Sequence, residues 1–198
     1  MAHAPRALPH LAPEPRQVLR TAALAELSET DPKRHDLHHL RTRVYQMALL
    51  AGGHDEALAS AAFDVFHEAR HAVEPYADVL ATLEELSRHF ILIAITNGTA
   101  EVEKVGFAPF FRLSVSPRSA GAAKPNAQIY RHACDALELS PATVLHAGDD
   151  VDLDINAARA AGLGVAWINR QKRPWPGPGA KPPTFDDLEA FRRWVLAT

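Results

Sequence analysis

The sequence predicts an α/β fold, a parallel sheet with helices on both faces, preceded by an all-helical region. Apolar residues recur at helical spacing over residues 14–74, without a strand-like run. From residue 78 to residue 170, short apolar runs alternate with helical patterns, which is typical of parallel strands joined by right-handed crossovers. We therefore divide the chain into an irregular N-terminus (1–13), a helical region (14–74) and an α/β region (75–198).

Three helices account for the helical region. The first is predicted over residues 14–28, and the second begins after Asp31 and Pro32, because an Asp side chain can accept from a first turn in which Pro needs no N–H. Asp55 can serve the third helix in the same way, and Pro75 ends it. Four prolines among the first 15 residues predict an irregular segment at the N-terminus.

The α/β region begins with a predicted helix over residues 78–88 and a strand over residues 91–95. The strand belongs to a continuous apolar run, so we expect it to be buried on both faces of the sheet. Further strands are predicted at residues 112–116, 143–147 and 164–168. Further helices are predicted at residues 100–105, 126–137, 155–161 and 187–196, with a Pro-rich surface loop at 171–183.

Polar and charged residues follow three of these strands at their carboxyl ends, where open parallel sheets bind ligands. The first strand is followed by Thr96, Asn97 and Gly98, which offer a hydroxyl group and a tight turn. The loop after the second strand contains Lys124. The third strand is followed by residues 148–154, Gly-Asp-Asp-Val-Asp-Leu-Asp, with four carboxylates within six residues.

The clustered carboxylates repel one another, so a compensating cation is expected. Mg²⁺ is the natural candidate because it prefers oxygen ligands and combines one or two carboxylates with a phosphate group. A hydroxyl group, a lysine and a magnesium site on one rim of a sheet favour phosphoryl transfer, in which the protein positions the reactants and neutralises charge.

Composition excludes several other classes of function. The 198 residues carry a formal net charge of −3, which argues against a nucleic-acid binder because such proteins usually have a basic face. No apolar run approaches the length needed to span a bilayer, so we expect no membrane partner. The single Cys134 cannot form an internal disulfide, which favours a cytoplasmic location. The sequence does not indicate an oligomeric state.

The three polar segments resemble motifs two, three and four of the haloacid dehalogenase (HAD) superfamily of Mg²⁺-dependent phosphohydrolases. The second motif is an apolar strand ending in Thr or Ser, here ILIAITNGT, and the third is a Lys, here in GAAKPNAQIY. The fourth is GDDxxxD, here GDDVDLD. The resemblance covers residues 75–170 and implies a Rossmann-like core. It extends to residues 14–74, which are similar to the helical cap of one large subgroup.

The resemblance also implies substrate-binding roles. Thr96 would hydrogen-bond a phosphoryl oxygen, and Asn97 would help to shape the phosphate pocket. Lys124 would neutralise the phosphoryl group and the carboxylates around it. The substrate would be a small phosphorylated metabolite, and the helical cap would influence which one is accepted.

The implied metal site consists of three carboxylates from the fourth motif. Asp149 would bind Mg²⁺ directly, and Asp150 offers a second contact. Asp154 would complete the acidic shell through Lys124 or through a water molecule.

The first motif of the superfamily, a strand followed by Asp-x-Asp-x-Thr, has no counterpart in this sequence. In the family its first Asp takes the phosphoryl group, and its second Asp is the general acid and base. That strand lies between the strands that correspond here to residues 91–95 and 143–147. Without it, these two strands would lie about 9–10 Å apart, with unpaired backbone groups between them.

We therefore expect the sequence to be truncated at its N-terminus. The missing strand, its loop and the start of a cap helix would amount to about 20–35 residues. Met1 would then be an internal or misassigned start. Upstream coding DNA without an in-frame apolar strand carrying Asp-x-Asp would contradict this expectation.

Two other functions stay open. A catalytically inactive relative could bind phosphate, metal or a protein partner; the absent nucleophile favours it, whereas the retained Thr96, Lys124 and acidic cluster oppose it. A haloacid dehalogenase is the second alternative. It needs no metal, and therefore would not need the acidic cluster.

Overall fold

A computed structural model of the chain describes residues 13–177 and 179–198. The chain forms two compact units, which divide between Ala72 and Val73. The irregular segment predicted for residues 1–13 lies outside the described residues, apart from Pro13. Among the described residues, no helix is both long and apolar enough to cross a membrane.

The first unit contains three helices: α1 (Pro13–Ala25), α2 (Leu37–Ala51) and α3 (Leu58–His71). Asp31 does begin a helical turn, accepting from the Lys33 N–H at 2.8 Å, but this turn is a short 3₁₀ helix. The α2 helix begins one turn later, where Asp36 accepts from two backbone N–H groups. The core of the first unit is formed by buried apolar side chains of the three helices: Ala23, Leu40, Val44, Leu49, Ala59 and Phe63.

The second unit alternates strands and helices. Its helices are α4 (Val79–His89), α5 (Pro117–Ala120), α6 (Gln128–Asp135), α7 (Ala157–Ala160) and α8 (Leu188–Leu196). Its strands are β1 (Ile93–Ile95), β2 (Leu113–Val115), β3 (Leu145–Gly148), β4 (Gly164–Ile168) and β5 (Thr184–Phe185). A π-helical turn (Val151–Asn156) leads from β3 into α7.

The strands form two parallel sheets. β1 pairs with β2, and β4 lies between β3 and β5. Within the described part of the chain, no backbone pairing joins β1 to β3. The β1 strand is only half-buried, and Ile91 before it is 62% exposed, so the expectation of a strand buried on both faces is wrong. The physical reason is that, in the part of the chain the structure describes, β1 has a strand neighbour on only one of its edges.

Helices cover both faces of the strands, as the sequence predicts. Alternate residues of β4 point to opposite sides of the sheet. On one side, Val165 packs against an apolar cluster that includes buried residues of α6 and α7. Ala166 and Ile168 pack with Leu86 of α4 and Phe191 of α8. This alternation confirms the predicted α/β fold class, because each face of the strand contributes to a separate apolar layer.

The predicted helix over residues 100–105 is wrong. Its segment forms turns, in which the backbone N–H groups of Phe107 and Ala108 both donate to the carbonyl oxygen of Val102. Gly106 follows with a φ of +82°, a left-handed conformation that ends any helix. Six residues are also too few to form a stable helix without strong packing.

Candidate active site

Thr96 closes the turn after β1. Its backbone N–H donates to the carbonyl oxygen of Val115 at 3.0 Å, so the pairing with β2 continues to this residue. Its hydroxyl oxygen accepts from the Gly98 N–H at 2.8 Å. The half-buried hydroxyl group therefore keeps its own hydrogen for a further acceptor.

The Asn97 side chain hydrogen-bonds the backbone of Lys124, which lies 27 positions later in the sequence. Its Nδ2 donates to the Lys124 carbonyl oxygen at 2.8 Å, and its Oδ1 accepts from the Lys124 N–H at 2.9 Å. One amide side chain thus makes both hydrogen bonds that a neighbouring strand would make. The loop after β2 is thereby fixed against the end of β1.

The Lys124 ammonium group forms a buried ion pair with Asp154. The Nζ–Oδ1 distance is 2.6 Å, and the two side chains are only 12% and 6% exposed. Asp154 Oδ2 accepts from the Asp150 N–H at 3.1 Å, and His146 Nε2 lies 3.4 Å from Oδ1. Both carboxylate oxygens are therefore engaged within the protein.

Two opposing effects act on the pKa of Asp154. Burial alone would raise it, but the hydrogen bonds from His146 and Lys124, together with their charge, hold the pKa well below its usual range. Asp154 is therefore a carboxylate at neutral pH, and it lies against the Lys124 ammonium group.

Gly148 allows Asp154 to lie under the end of β3. A Cβ atom built on Gly148 would overlap the Asp154 Cβ and would lie 2.6 Å from its Oδ2. Real side chains do not tolerate such distances, so this position requires glycine for close approach rather than for backbone freedom. The fourth motif therefore needs its glycine to bring Asp154 back to Lys124.

Asp149 and Asp150 are exposed residues at the start of the acidic turn. Asp150 Oδ1 accepts from the N–H groups of Asp152 and Leu153 at 3.0 and 2.8 Å, so it begins the π-helical turn. In the described part of the chain, the Asp149 carboxylate has no hydrogen-bond partner. Its backbone carbonyl, by contrast, accepts from Trp167 Nε1 and from an Arg173 nitrogen.

This donor set fits a hard divalent cation. Asp149 offers an uncommitted carboxylate on a turn with a fixed backbone, and the exposed Asp150 uses its Oδ1 for the turn and keeps its Oδ2 as a further ligand atom. The Asp154 oxygens are already used by Lys124 and by the Asp150 N–H. Asp154 is therefore placed to support the acidic turn rather than to bind a metal directly.

Sequence reasoning missed several residues around this rim. His146 of β3 approaches Asp154. The Tyr130 ring packs edge-on against the His146 ring, with 4.9 Å between ring centroids. The Tyr130 hydroxyl donates to the Leu153 carbonyl oxygen at 2.6 Å, and burial together with the nearby Asp154 and Asp150 charges raises its pKa. A polar histidine inside an otherwise apolar strand was the one available signal.

A family profile for haloacid dehalogenase-like hydrolases matches residues 14–162. The chain belongs to this family. The match confirms the resemblance that the second, third and fourth motifs indicated, and with it the classification as a hydrolase.

Relatives with named activities include both phosphatases and a dehalogenase. A 5-amino-6-(5-phospho-D-ribitylamino)uracil phosphatase of Escherichia coli is 30% identical, over 68% of this chain and 58% of the relative. A glyceraldehyde 3-phosphate phosphatase of Methanopyrus kandleri is 34% identical, over 58% and 52%. The chain thus spans about half the length of these curated relatives.

The solved structure of a 2-haloacid dehalogenase from Pseudomonas syringae is also similar. Its TM-score is 0.83 at 30% identity, and the alignment covers 94% of this chain and 81% of the dehalogenase. The α/β architecture with a helical region is therefore shared with this dehalogenase.

Proposed function

We propose that this chain carries the phosphate-binding and Mg²⁺-binding part of a phosphohydrolase for a small phosphorylated metabolite. The observation that carries the proposal is the 2.6 Å ion pair between Lys124 and Asp154, with Asn97 holding the Lys124 backbone. These contacts join the segments that follow β1, β2 and β3. The phosphatase activity of the two curated relatives supports the same reaction class.

Each residue of this rim has a distinct role in the proposed reaction. The Lys124 ammonium group has three N–H donors, of which Asp154 takes one, so the others can bind phosphoryl oxygens. The Thr96 hydroxyl group donates to another phosphoryl oxygen. Asp149 and Asp150 would hold Mg²⁺, which when bound supplies charge neutralisation for the transferring phosphoryl group.

The nucleophile is proposed to be an Asp that is not part of this chain. It would lie on a strand between β1 and β3 and would form the aspartyl-phosphate intermediate. The lack of pairing between β1 and β3 in the described part of the chain supports this, as does the partial exposure of both strands. We propose accordingly that the sequence is N-terminally truncated and that residues 14–74 belong to a helical cap.

A chromogenic phosphate ester tests the proposed reaction. The chain as written and a version extended upstream would be assayed with Mg²⁺ and with EDTA. We expect turnover only for the extended version with Mg²⁺, because only that version brings a nucleophile. Turnover by the short chain would contradict the assignment of the nucleophile to an absent strand.

Variants of the extended version assign the residues. Asp149→Asn and Lys124→Met should each lower kcat by about 10²–10³-fold, because each removes charge stabilisation of the transition state. Asp152→Asn is the matched control, since Asp152 is an exposed carboxylate of the same turn that contacts Asn156. Its kcat should stay within about threefold of the unchanged protein. Equal losses in all three variants would contradict the assigned roles.

A haloacid dehalogenase is the second candidate, and the similarity to the Pseudomonas syringae enzyme favours it. The exposed Asp149 and Asp150 oppose it, because that reaction requires no metal. Halide release from a 2-haloacid by the extended version in EDTA would establish dehalogenation. Silence in both assays, with phosphate still bound, would favour an inactive binding protein.

We also propose a cytoplasmic location. Cys134 is a free thiol buried in the core of the second unit, so the protein needs no oxidising compartment for its folding. Fractionation of the source cells, followed by immunodetection, tests this proposal.

A further inference from the structure

The carbonyl oxygen of Asp149 is held by two donors from outside the acidic turn. Trp167 Nε1 donates to it at 3.1 Å, and Arg173 Nη2 donates at 3.0 Å. Trp167 is fully buried in β4, so its indole is a rigid donor. The peptide plane between Asp149 and Asp150 is therefore fixed from the neighbouring strand.

Arg173 is itself held by Asn169, which lies directly after β4 and is 4% exposed. Asn169 Nδ2 donates to the Arg173 carbonyl oxygen at 2.8 Å, and Asn169 Oδ1 accepts from the Arg173 N–H at 3.0 Å. The arrangement repeats the one between Asn97 and Lys124. In both cases an Asn after a strand fixes the backbone of a cationic residue beside the acidic turn.

The loop that carries Arg173 packs against the Trp167 indole. The Trp175 ring packs edge-on against Trp167 with 5.5 Å between ring centroids, and Trp175 Nε1 donates to the Gly179 carbonyl oxygen at 3.3 Å. An open cleft of about 390 Å³ separates this loop from the acidic turn, with Asp150 and Arg173 among its walls. Arg173 thus lies between the Pro-rich loop and the carboxylates.

We propose that Trp167, Asn169 and Arg173 are positioning residues that orient Asp149 for Mg²⁺. The inference rests on the proposed function, in which Asp149 is the metal ligand. A fixed peptide plane sets the direction of the Asp149 side chain before the ion arrives, so binding has less conformational entropy to overcome. The Pro-rich loop thereby becomes part of the metal site without contributing a ligand.

Metal affinity measures this effect directly. Mn²⁺ binding to the purified chain would be followed by electron paramagnetic resonance, and Mg²⁺ by competition. Arg173→Met and Trp167→Phe should each weaken binding about fivefold, as expected for the loss of one hydrogen bond. Asn169→Ala should weaken it similarly, because Arg173 then loses its backbone support.

Lys172→Met is the matched control. Lys172 lies in the same loop and pairs with Asp186 at 3.2 Å, with both side chains well exposed. Removing a nearby positive charge should by itself strengthen cation binding slightly. Weaker binding in Arg173→Met, with Lys172→Met within about twofold of the unchanged chain, therefore separates positioning from charge.

A second readout does not depend on the metal. In ¹H–¹⁵N spectra of the metal-free chain, Asn169→Ala should speed hydrogen exchange at the Arg173 amide, and Arg173→Met should shift the Trp167 indole N–H resonance. These signals also remain measurable if Trp167→Phe fails to fold.

The outcomes distinguish the two proposals. If the unchanged chain binds neither Mn²⁺ nor Mg²⁺, the proposed metal site is wrong, and this inference is overturned with it. If the unchanged chain binds Mn²⁺ and all three variants stay within twofold of it, only the positioning inference is overturned.

Discussion

At the end of β3, only a hydrogen atom fits between the Gly148 Cα and the Asp154 side chain. Any larger substituent must push Asp154 away, because the contacted atoms include its Cβ and Cγ rather than a flexible end. Lys124 would then lose the short contact that keeps its ammonium group in place. The position of the Lys124 side chain thus depends on the absence of a side chain at Gly148.

Gly148→Ala should therefore lower the free energy of unfolding by about 1–3 kcal/mol, the usual effect of overpacking. Urea unfolding followed by circular dichroism measures it. Gly164→Ala is the matched control within β4, since its added Cβ would lie 3.4 Å from Leu145 Cδ1, an ordinary contact. The control should change stability by less than about 0.5 kcal/mol. Similar losses in both variants would show that the close approach to Asp154 is not the cause.

At the scale of elements, Asp78 connects the start of α4 to the start of α8. Its carboxylate accepts from Arg170 Nη2 at 2.8 and 2.9 Å and from the Leu188 N–H at 2.7 Å. The Arg170 guanidinium also lies 4.2 Å from the centroid of the Tyr76 ring. One carboxylate therefore links residues 92 and 110 positions away in the sequence.

The pKa of Asp78 gives this link a dependence on pH. Burial raises the pKa, but the hydrogen bonds from Arg170 and Leu188 outweigh burial and leave it below its ordinary value. A carboxyl group with a lowered folded-state pKa stabilises the fold above its unfolded-state pKa, near 4. We therefore expect this stabilisation to be complete above about pH 4–5 and to disappear as the pH falls through the folded-state pKa.

Asp78→Asn tests the link. At pH 7 it should lower the free energy of unfolding by about 1.5–3 kcal/mol, because charged hydrogen bonds are lost. The difference from the unchanged chain should shrink as the pH falls below 4. Asp186→Asn is the control, since its ion pair with Lys172 is exposed and should contribute less than about 1 kcal/mol. A difference that stays constant with pH would contradict the role of the Asp78 charge.

For the molecule as a whole, the two separate sheets predict uneven protection of backbone amides. Among the described residues, β4 has strand neighbours on both edges, whereas β1 and β3 each pair on one edge only. In hydrogen exchange at neutral pH, amides of β4 should exchange most slowly, and those of β1 and β3 faster. Adding the upstream segment should slow exchange in β1 and β3 if a strand pairs between them. Equal protection of all three strands in the short chain would contradict this picture.

Much of the fold could be predicted because local pattern and tertiary environment agree. β4 matches its predicted bounds, since an apolar run between Gly164 and Asn169 leaves little choice. β5 could not be predicted, because two residues become a strand only through pairing with β4. β1 is shorter than predicted. The apolar run that includes Ile91 predicts a strand with neighbours on both edges, whereas Ile91 is exposed in the structure.

The candidate site could be predicted only in part. Lys124 and Asp154 could be singled out because they stand in motifs, and the structure brings their side chains together. Asn169 and Arg173 lie in segments that indicate only a strand end and a loop. Their link to Asp149 depends on the path of the Pro-rich loop, and no local pattern encodes that path.

The ion pair between Lys124 and Asp154 has a mechanical consequence. Lys124 follows β2 in one sheet and Asp154 follows β3 in the other, so their contact ties together two sheets that share no backbone pairing in the described residues. An anion that competes with Asp154 for the ammonium group also weakens this tie. Ligand occupancy at Lys124 and the strength of this tie between the two sheets are therefore coupled.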